Sequence, residues 1–136
     1  SSAFIAWQRA VGGRIKSDLR FSSTLTWNTL PLPGLNASQR AGIIAGGKGV
    51  LDARALHPGR SLADHYNPLA MSPELLHAHR ELDAAVDKVL GLRGAVQETD
   101  RLRALFGSYA KLIAADELAI PSKPTRRARP AVKTPS

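Results

Sequence analysis

The run Gly12-Gly13-Arg14-Ile15-Lys16-Ser17-Asp18-Leu19-Arg20-Phe21-Ser22 carries the strongest chemical signal in the chain. On one extended strand, alternation points Lys16 and Asp18 the same way, with Arg14 and Arg20 continuing that face. A lysine donates to guanine O6 and N7, and an aspartate accepts from cytosine N4 across the same pair. A donor and an acceptor side by side therefore suit a G·C pair read in the major groove, with arginines holding phosphates beside it. The same residue types also suit a salt-bridged solvent face of an ordinary sheet.

Other constellations carry less. The segment Gly42-Ile43-Ile44-Ala45-Gly46-Gly47-Lys48-Gly49 approaches a phosphate-binding P-loop, but Gly49 stands where the magnesium-binding hydroxyl belongs and no strand precedes it. Its glycines fall within a helical period, which reads as close helix packing at about 1 kcal/mol of lost propensity each. His77 and His79 are two residues apart and diverge on a helix; His79, on an apolar stripe, reads as a packed histidine rather than a ligand. Asp83 and Asp87 read as a solvated helix face. No arrangement in the chain reads as a catalytic centre or a metal site.

The elements that must position these residues follow from periodicity and punctuation. Asn36 and Ser38 are candidate caps for a helix in which Ile43, Ile44, Gly47, Val50, Leu51 and Arg54 recur at three-to-four spacing until His57-Pro58-Gly59. Ser61 and Asp64 space as a capping box for a short turn stopped by Asn67-Pro68. Ser72 caps a third segment with Pro73 in its first turn, whose stripe is Leu75, Leu76, His79, Leu82, Val86, Val89 and Leu90 before Gly91. A last helix from about Glu98 to Leu118 carries Leu102, Leu105, Phe106, Tyr109, Leu112 and Ile113. The fold class is mainly α: a small helical bundle over residues 34–120, preceded by a short β segment.

Residues 1–33 read as that β segment, two short strands joined by a turn, with the β-forming Thr24-Leu25-Thr26-Trp27-Asn28-Thr29-Leu30 before Pro31 and Pro33. Two strands alone are marginal in water, so the segment reads as the tail of a larger sheet. Residues 121–136, with four prolines and no apolar pattern, read as a disordered basic tail.

The charge divides the same way. The formal net charge of the 136 residues is +8, but residues 34–120 carry ten basic and ten acidic side chains. Residues 1–33 hold four basic against one acidic, and residues 121–136 hold five basic and no acidic residue. A neutral body between two basic ends suggests separate contacts with nucleic acid rather than a general coat. The absence of cysteine excludes a disulfide framework and a thiolate zinc site and fits a reducing compartment, the cytoplasm. No apolar run approaches the roughly 18–20 residues of a membrane span, so no membrane partner is expected.

Trp7, Gly12-Gly13-Arg14, Lys16-Ser17-Asp18-Leu19-Arg20-Phe21-Ser22 and Trp27-Asn28-Thr29-Leu30-Pro31-Leu32-Pro33 resemble the end of a target-recognition domain of the MmeI-like, type IIL, single-chain restriction–modification enzymes. The block from Val50-Leu51-Asp52-Ala53-Arg54 through His57-Pro58-Gly59, Ser61-Leu62-Ala63-Asp64, Tyr66-Asn67-Pro68, Met71-Ser72-Pro73-Glu74-Leu75 and His79-Arg80-Glu81-Leu82-Asp83 is similar to that family's C-terminal helical domain. The likeness covers roughly residues 3–115. It implies a bacterial parent that binds S-adenosylmethionine, methylates adenine N6 in a short site of double-stranded DNA and cleaves with magnesium. Lys16 and Asp18 would read bases, and Arg14 and Arg20 would lie near DNA. The chain contains no Asn/Asp-Pro-Pro-Tyr/Phe motif, no glycine-rich cofactor loop and no nuclease core, so catalysis would fall to the missing portion of the parent or to a partner subunit. A separately encoded specificity subunit, and a helical protein-interaction module or remnant, are the other classes compatible with the sequence.

Overall fold

A computed structural model describes residues 1–15 and 18–119. Its elements are α1 (Ser2–Val11), β1 (Gly13–Ile15), β2 (Asp18–Arg20), a π-helical turn (Ser23–Trp27), α2 (Ala37–Ala55), α3 (Leu62–His65), α4 (Pro73–Val89) and α5 (Glu98–Ala119). Among the described residues no helix is long and apolar enough to cross a membrane.

The chain's punctuation explains most boundaries. Asn36 caps α2 in a reciprocal box with Gln39, and Ser61 caps α3 in the same way with Asp64. Ser72 accepts from the Leu75 N–H, with Pro73 in the first turn, where a missing N–H costs least. Gly91, at φ 76°, closes α4: its N–H reaches the Lys88 carbonyl and the Leu92 N–H reaches the Asp87 carbonyl, a Schellman end that requires a left-handed residue.

Two packed layers result. In one, α2 and α4 bury Val50, Ala53, Leu75 and Ala78, with Met71 and Leu82 against them. The face that packs is not the whole stripe read from the sequence, because Ile44 and Leu51 are more than half exposed. Gly46 decides which face turns inward: a Cβ there would lie 3.0 Å from the Leu82 Cα, so the absence of a side chain lets the two backbones approach. Gly42, Gly47 and Gly49 have no such neighbour. The P-loop-like segment is the interior of α2.

In the other layer, α5 lies on α1. This revises the reading of residues 1–33 as strands alone. Ala3, Ala6 and Trp7 recur at helical spacing and are fully buried, so the first eleven residues fold as a helix that completes the bundle. Thr24–Asn28 also departs from the β expectation. The Ser22 side chain accepts from the Leu25 N–H at 3.2 Å, and the buried Thr26 hydroxyl donates to the Ser22 carbonyl, so capping and burial override strand propensity.

Asp83 and Asp87 are not a solvated face either. Asp87 receives Arg101 bidentately at 2.8 and 2.7 Å, largely out of water, and ties α4 to α5. That pairing holds the Arg101 guanidinium charge above its ordinary range. Asp83 accepts from the Ser2 N–H at 2.7 Å and from the Ser2 hydroxyl at 2.5 Å, fixing α1 to α4. His79 is half-buried, as a packed histidine should be. Burial lowers its pKa, and its Nε2 lies 3.0 Å from the Tyr66 hydroxyl.

The close approach at Gly46 generates a paired expectation. Gly46→Ala should destabilise the fold by about 1–3 kcal/mol, because the α2–α4 backbones must separate. Gly42→Ala, in open space on the same helix, should stabilise it by about 0.5–1 kcal/mol. Urea unfolding of the two variants checks the opposite signs.

Candidate functional site

The front of the chain presents a short antiparallel hairpin carried on a helix. Gly12 ends α1, its N–H donating to the Gln8 carbonyl at 2.9 Å, and β1 begins at the next residue. A Cβ at Gly12 would sit 2.4 Å from that same carbonyl and 3.2 Å from the Thr26 methyl, so glycine lets α1, the hairpin and the π-helical turn meet at one point.

The register pairs Gly13 with Arg20, Arg14 with Leu19 and Ile15 with Asp18. The expectation of one continuous strand presenting Arg14, Lys16, Asp18 and Arg20 is therefore revised. Arg14 stands in β1 and Asp18 and Arg20 stand in β2, while Lys16 falls outside the described residues. The pairing of β1 with β2 explains the difference, since it satisfies backbone groups that a lone strand leaves open. Arg20 is exposed, and its carbonyl accepts from the buried Gln8 Nε2 at 2.6 Å, which anchors the returning strand to α1.

Beside the hairpin, sequence reasoning missed an aromatic group. Phe4 meets Phe21 at 6.1 Å and Trp27 at 5.6 Å between ring centroids, and Phe21 and Trp27 are mostly exposed. Their helical and turn spacing was hidden by the strand reading. Gly13, Arg20, Phe21, Ser22, Ser23 and Leu25 line an open cleft next to this group. On the inner side, Trp7 is buried between α1 and α5, 5.2 Å from the Phe106 ring and 5.8 Å from Tyr109. Its Nε1–H donates to the Thr29 hydroxyl at 3.2 Å, which ties down the segment after the π-helical turn. One indole therefore locks the recognition-like segment onto the helical body.

The hairpin, with Arg20 exposed at its end, is held on a helical body. Residues 1–34 match the family model described as MmeI, target recognition domain, and residues 35–116 match MmeI, C-terminal domain. The chain is 34% identical over 112 residues to DNA methyltransferase A of Bacillus subtilis (strain 168), covering 82% of this chain and 13% of that protein. It also superposes with a TM-score of 0.78 and 40% identity on the solved structure of the Type IIL restriction–modification enzyme MmeI in complex with DNA, covering 84% of this chain and 15% of that one. The chain belongs to the MmeI family. It spans less than a sixth of the length of the relatives it matches.

If Trp7 is the lock, its truncation should be felt in the hairpin as well as in global stability. Trp7→Ala should cost about 3–5 kcal/mol in urea unfolding. Trp7→Phe, which mainly loses the bond to Thr29, should cost about 1 kcal/mol. Amide exchange in β1 and β2 should accelerate in Trp7→Ala more than exchange in α2 and α4, and equal acceleration in both layers would contradict the lock.

Proposed function

We propose that this chain is the base-reading end of a target-recognition domain together with the helical domain that supports it, and that it acts in a restriction–modification enzyme. One observation carries this reading. The two MmeI domain matches adjoin across residues 1–116, and the likeness in sequence and shape extends to an enzyme solved on DNA. On this reading the partner is double-stranded DNA. Lys16 and Asp18 read one G·C pair, while Arg14 and Arg20 contact the backbone beside it.

The parent activity proposed is methylation of adenine N6 from S-adenosylmethionine, with magnesium-dependent cleavage in the same bacterial, cytoplasmic enzyme. The residues described here do not fit either group. The glycine-rich stretch Gly42–Gly49 is the interior of α2, so its N–H groups are engaged in the helix and cannot cradle a cofactor. Among the described residues no cluster of three or more His, Asp or Glu side chains is placed to hold a metal ion. S-adenosylmethionine and magnesium are therefore assigned to the methyltransferase portion outside this chain, whether covalently continuous with it or in a partner subunit. What this chain contributes is position: it holds the hairpin at a fixed angle to the helical body, so that reading a base sets where the rest of the enzyme acts.

The decisive measurement is the methylated site of the complete enzyme. Exchanging both readers, Lys16→Glu with Asp18→Arg, should change the preferred base pair at one position of the site, each wrong pair costing about 1–3 kcal/mol. An unchanged site in an active double variant would end the base-reading assignment. Arg14→Gln and Arg20→Gln should weaken binding alike on all sequences and leave the site as it is.

A further inference from the structure

The helical body is neutral in sum, yet the structure gathers one sign of charge at a single place. The C-terminal end of α2, the turn after it and α3 border an open depression of about 290 Å³ lined by Leu51, Ala55, Pro58 and Leu62 together with Arg54, His57, Arg60 and His65. No carboxylate lines it. Asp64 accepts from the Ser61 N–H and hydroxyl at 3.0 and 2.6 Å and, still charged, lies within electrostatic reach of Arg60 and His65, as Glu74 does of His57; neither acid makes an ion pair there among the described residues. Arg54 and Arg60 make no ion pair among the described residues, and Arg60 gives one guanidinium N–H to the Ala70 carbonyl at 3.0 Å.

Two histidines border the same depression. His65 is 4% exposed, and its Nδ1 is buried without any hydrogen-bond partner. His57 lies beside it, 6.4 Å between ring centroids. Two guanidinium groups outside any ion pair among the described residues, and two imidazoles, border one depression that no carboxylate lines, a set that suits an anion with several acceptor oxygens. Arginine forks match phosphate bidentately.

We propose that this depression is a phosphate-binding station, in which Arg54, His57, Arg60 and His65 hold one backbone phosphate of the duplex. The inference rests on the DNA-binding reading above and adds a second, sequence-independent foothold to the hairpin. A phosphate held here fixes register without reading bases, which is the role of backbone contacts in general. A carboxylate from a protein partner is the rival occupant.

Two measurements on the full chain test the station. In the first, duplex affinity is followed by fluorescence anisotropy across a salt series. Arg54→Gln with Arg60→Gln should make the slope of log K against log salt shallower by about 1 and weaken binding equally on unrelated duplex sequences. Arg54→Lys should retain most of the slope. An unchanged slope in a double variant that melts like the parent overturns the proposal and leaves the protein carboxylate as occupant. In the second, inorganic phosphate is titrated while the His57 and His65 ring nitrogens are observed by NMR. A saturable shift that disappears in the double variant supports the site, and no shift in either ring overturns it. Should the unmodified chain lack salt-dependent duplex affinity while phosphate still saturates the rings, the DNA-binding reading fails and the anion site survives it.

Discussion

The burial of Trp7 is the constraint on which the rest of this structure depends. Its indole touches Phe106 and Tyr109 on α5 and donates to Thr29 beyond the π-helical turn, so one side chain joins three segments that are remote in sequence. An aromatic residue of this size contributes several kcal/mol when fully buried, a large share of the 5–15 kcal/mol typical of a domain. Polar contacts then orient what the indole holds. Ser2 fastens the start of α1 to Asp83, Gln8 fastens the end of β2 to α1, and Arg9 meets Glu98 at the start of α5. The last pair is exposed and screened, so it adds little stability; its use is alignment.

The Asp87–Arg101 pair plays a different part. Both partners are largely out of water and bonded through two parallel hydrogen bonds. A buried pair of this kind repays its desolvation only partly, and an apolar pair of similar volume would serve stability about as well. What an apolar pair would not supply is register, because a bidentate fork tolerates little sliding of α5 along α4. Since α5 carries Trp7's partners, an error in that register would be transmitted through α1 to the hairpin. The link between the helical body and the recognition segment is thus a short chain of defined contacts: Asp87 to Arg101, α5 to Trp7, and α1 to the Arg20 carbonyl.

Much of this was legible in the sequence because it is local. Asn36, Ser61, Ser72 and Gly91 each act within four residues, and caps written that close to the backbone seldom mislead. The segments that escaped are those decided by distant partners. Trp27 and the surrounding threonines favour strands in isolation, and only the Ser22 cap and the burial of Thr26 turn them into a helical turn. Helix α1 was hidden for a similar reason: Ala3, Ala6 and Trp7 carry the helical period, but Gly12-Gly13 and the alternating charges beyond drew the reading toward strands. Ile44 and Leu51 belong to a periodic apolar stripe and yet face outward, because the α2–α4 contact is set by the small residue Gly46 rather than by the largest side chains. At the candidate site, residue types were legible but their arrangement was not, since a hairpin and a single strand distribute Arg14, Asp18 and Arg20 differently.

Net charge illustrates the same limit from another side. Residues 34–120 sum to zero, which argues against a role in contacting an acidic partner. That sum is blind to pairing. Asp87 is neutralised by Arg101, whereas Asp83 and Asp64, bonded to serine groups, are fixed in place but keep their charge. Arg54 and Arg60 are in no such ion pair among the described residues, and the fold brings them to the same depression as His57 and His65. The field that a partner meets is set by the charges left over after internal pairing, and over short range those residual charges outweigh a distant neutralising count. A domain can therefore be neutral in sequence and basic at the one place where it matters. For a recognition segment only a hairpin wide, such a second point of attachment would convert a flexible probe into a reader held at a fixed angle.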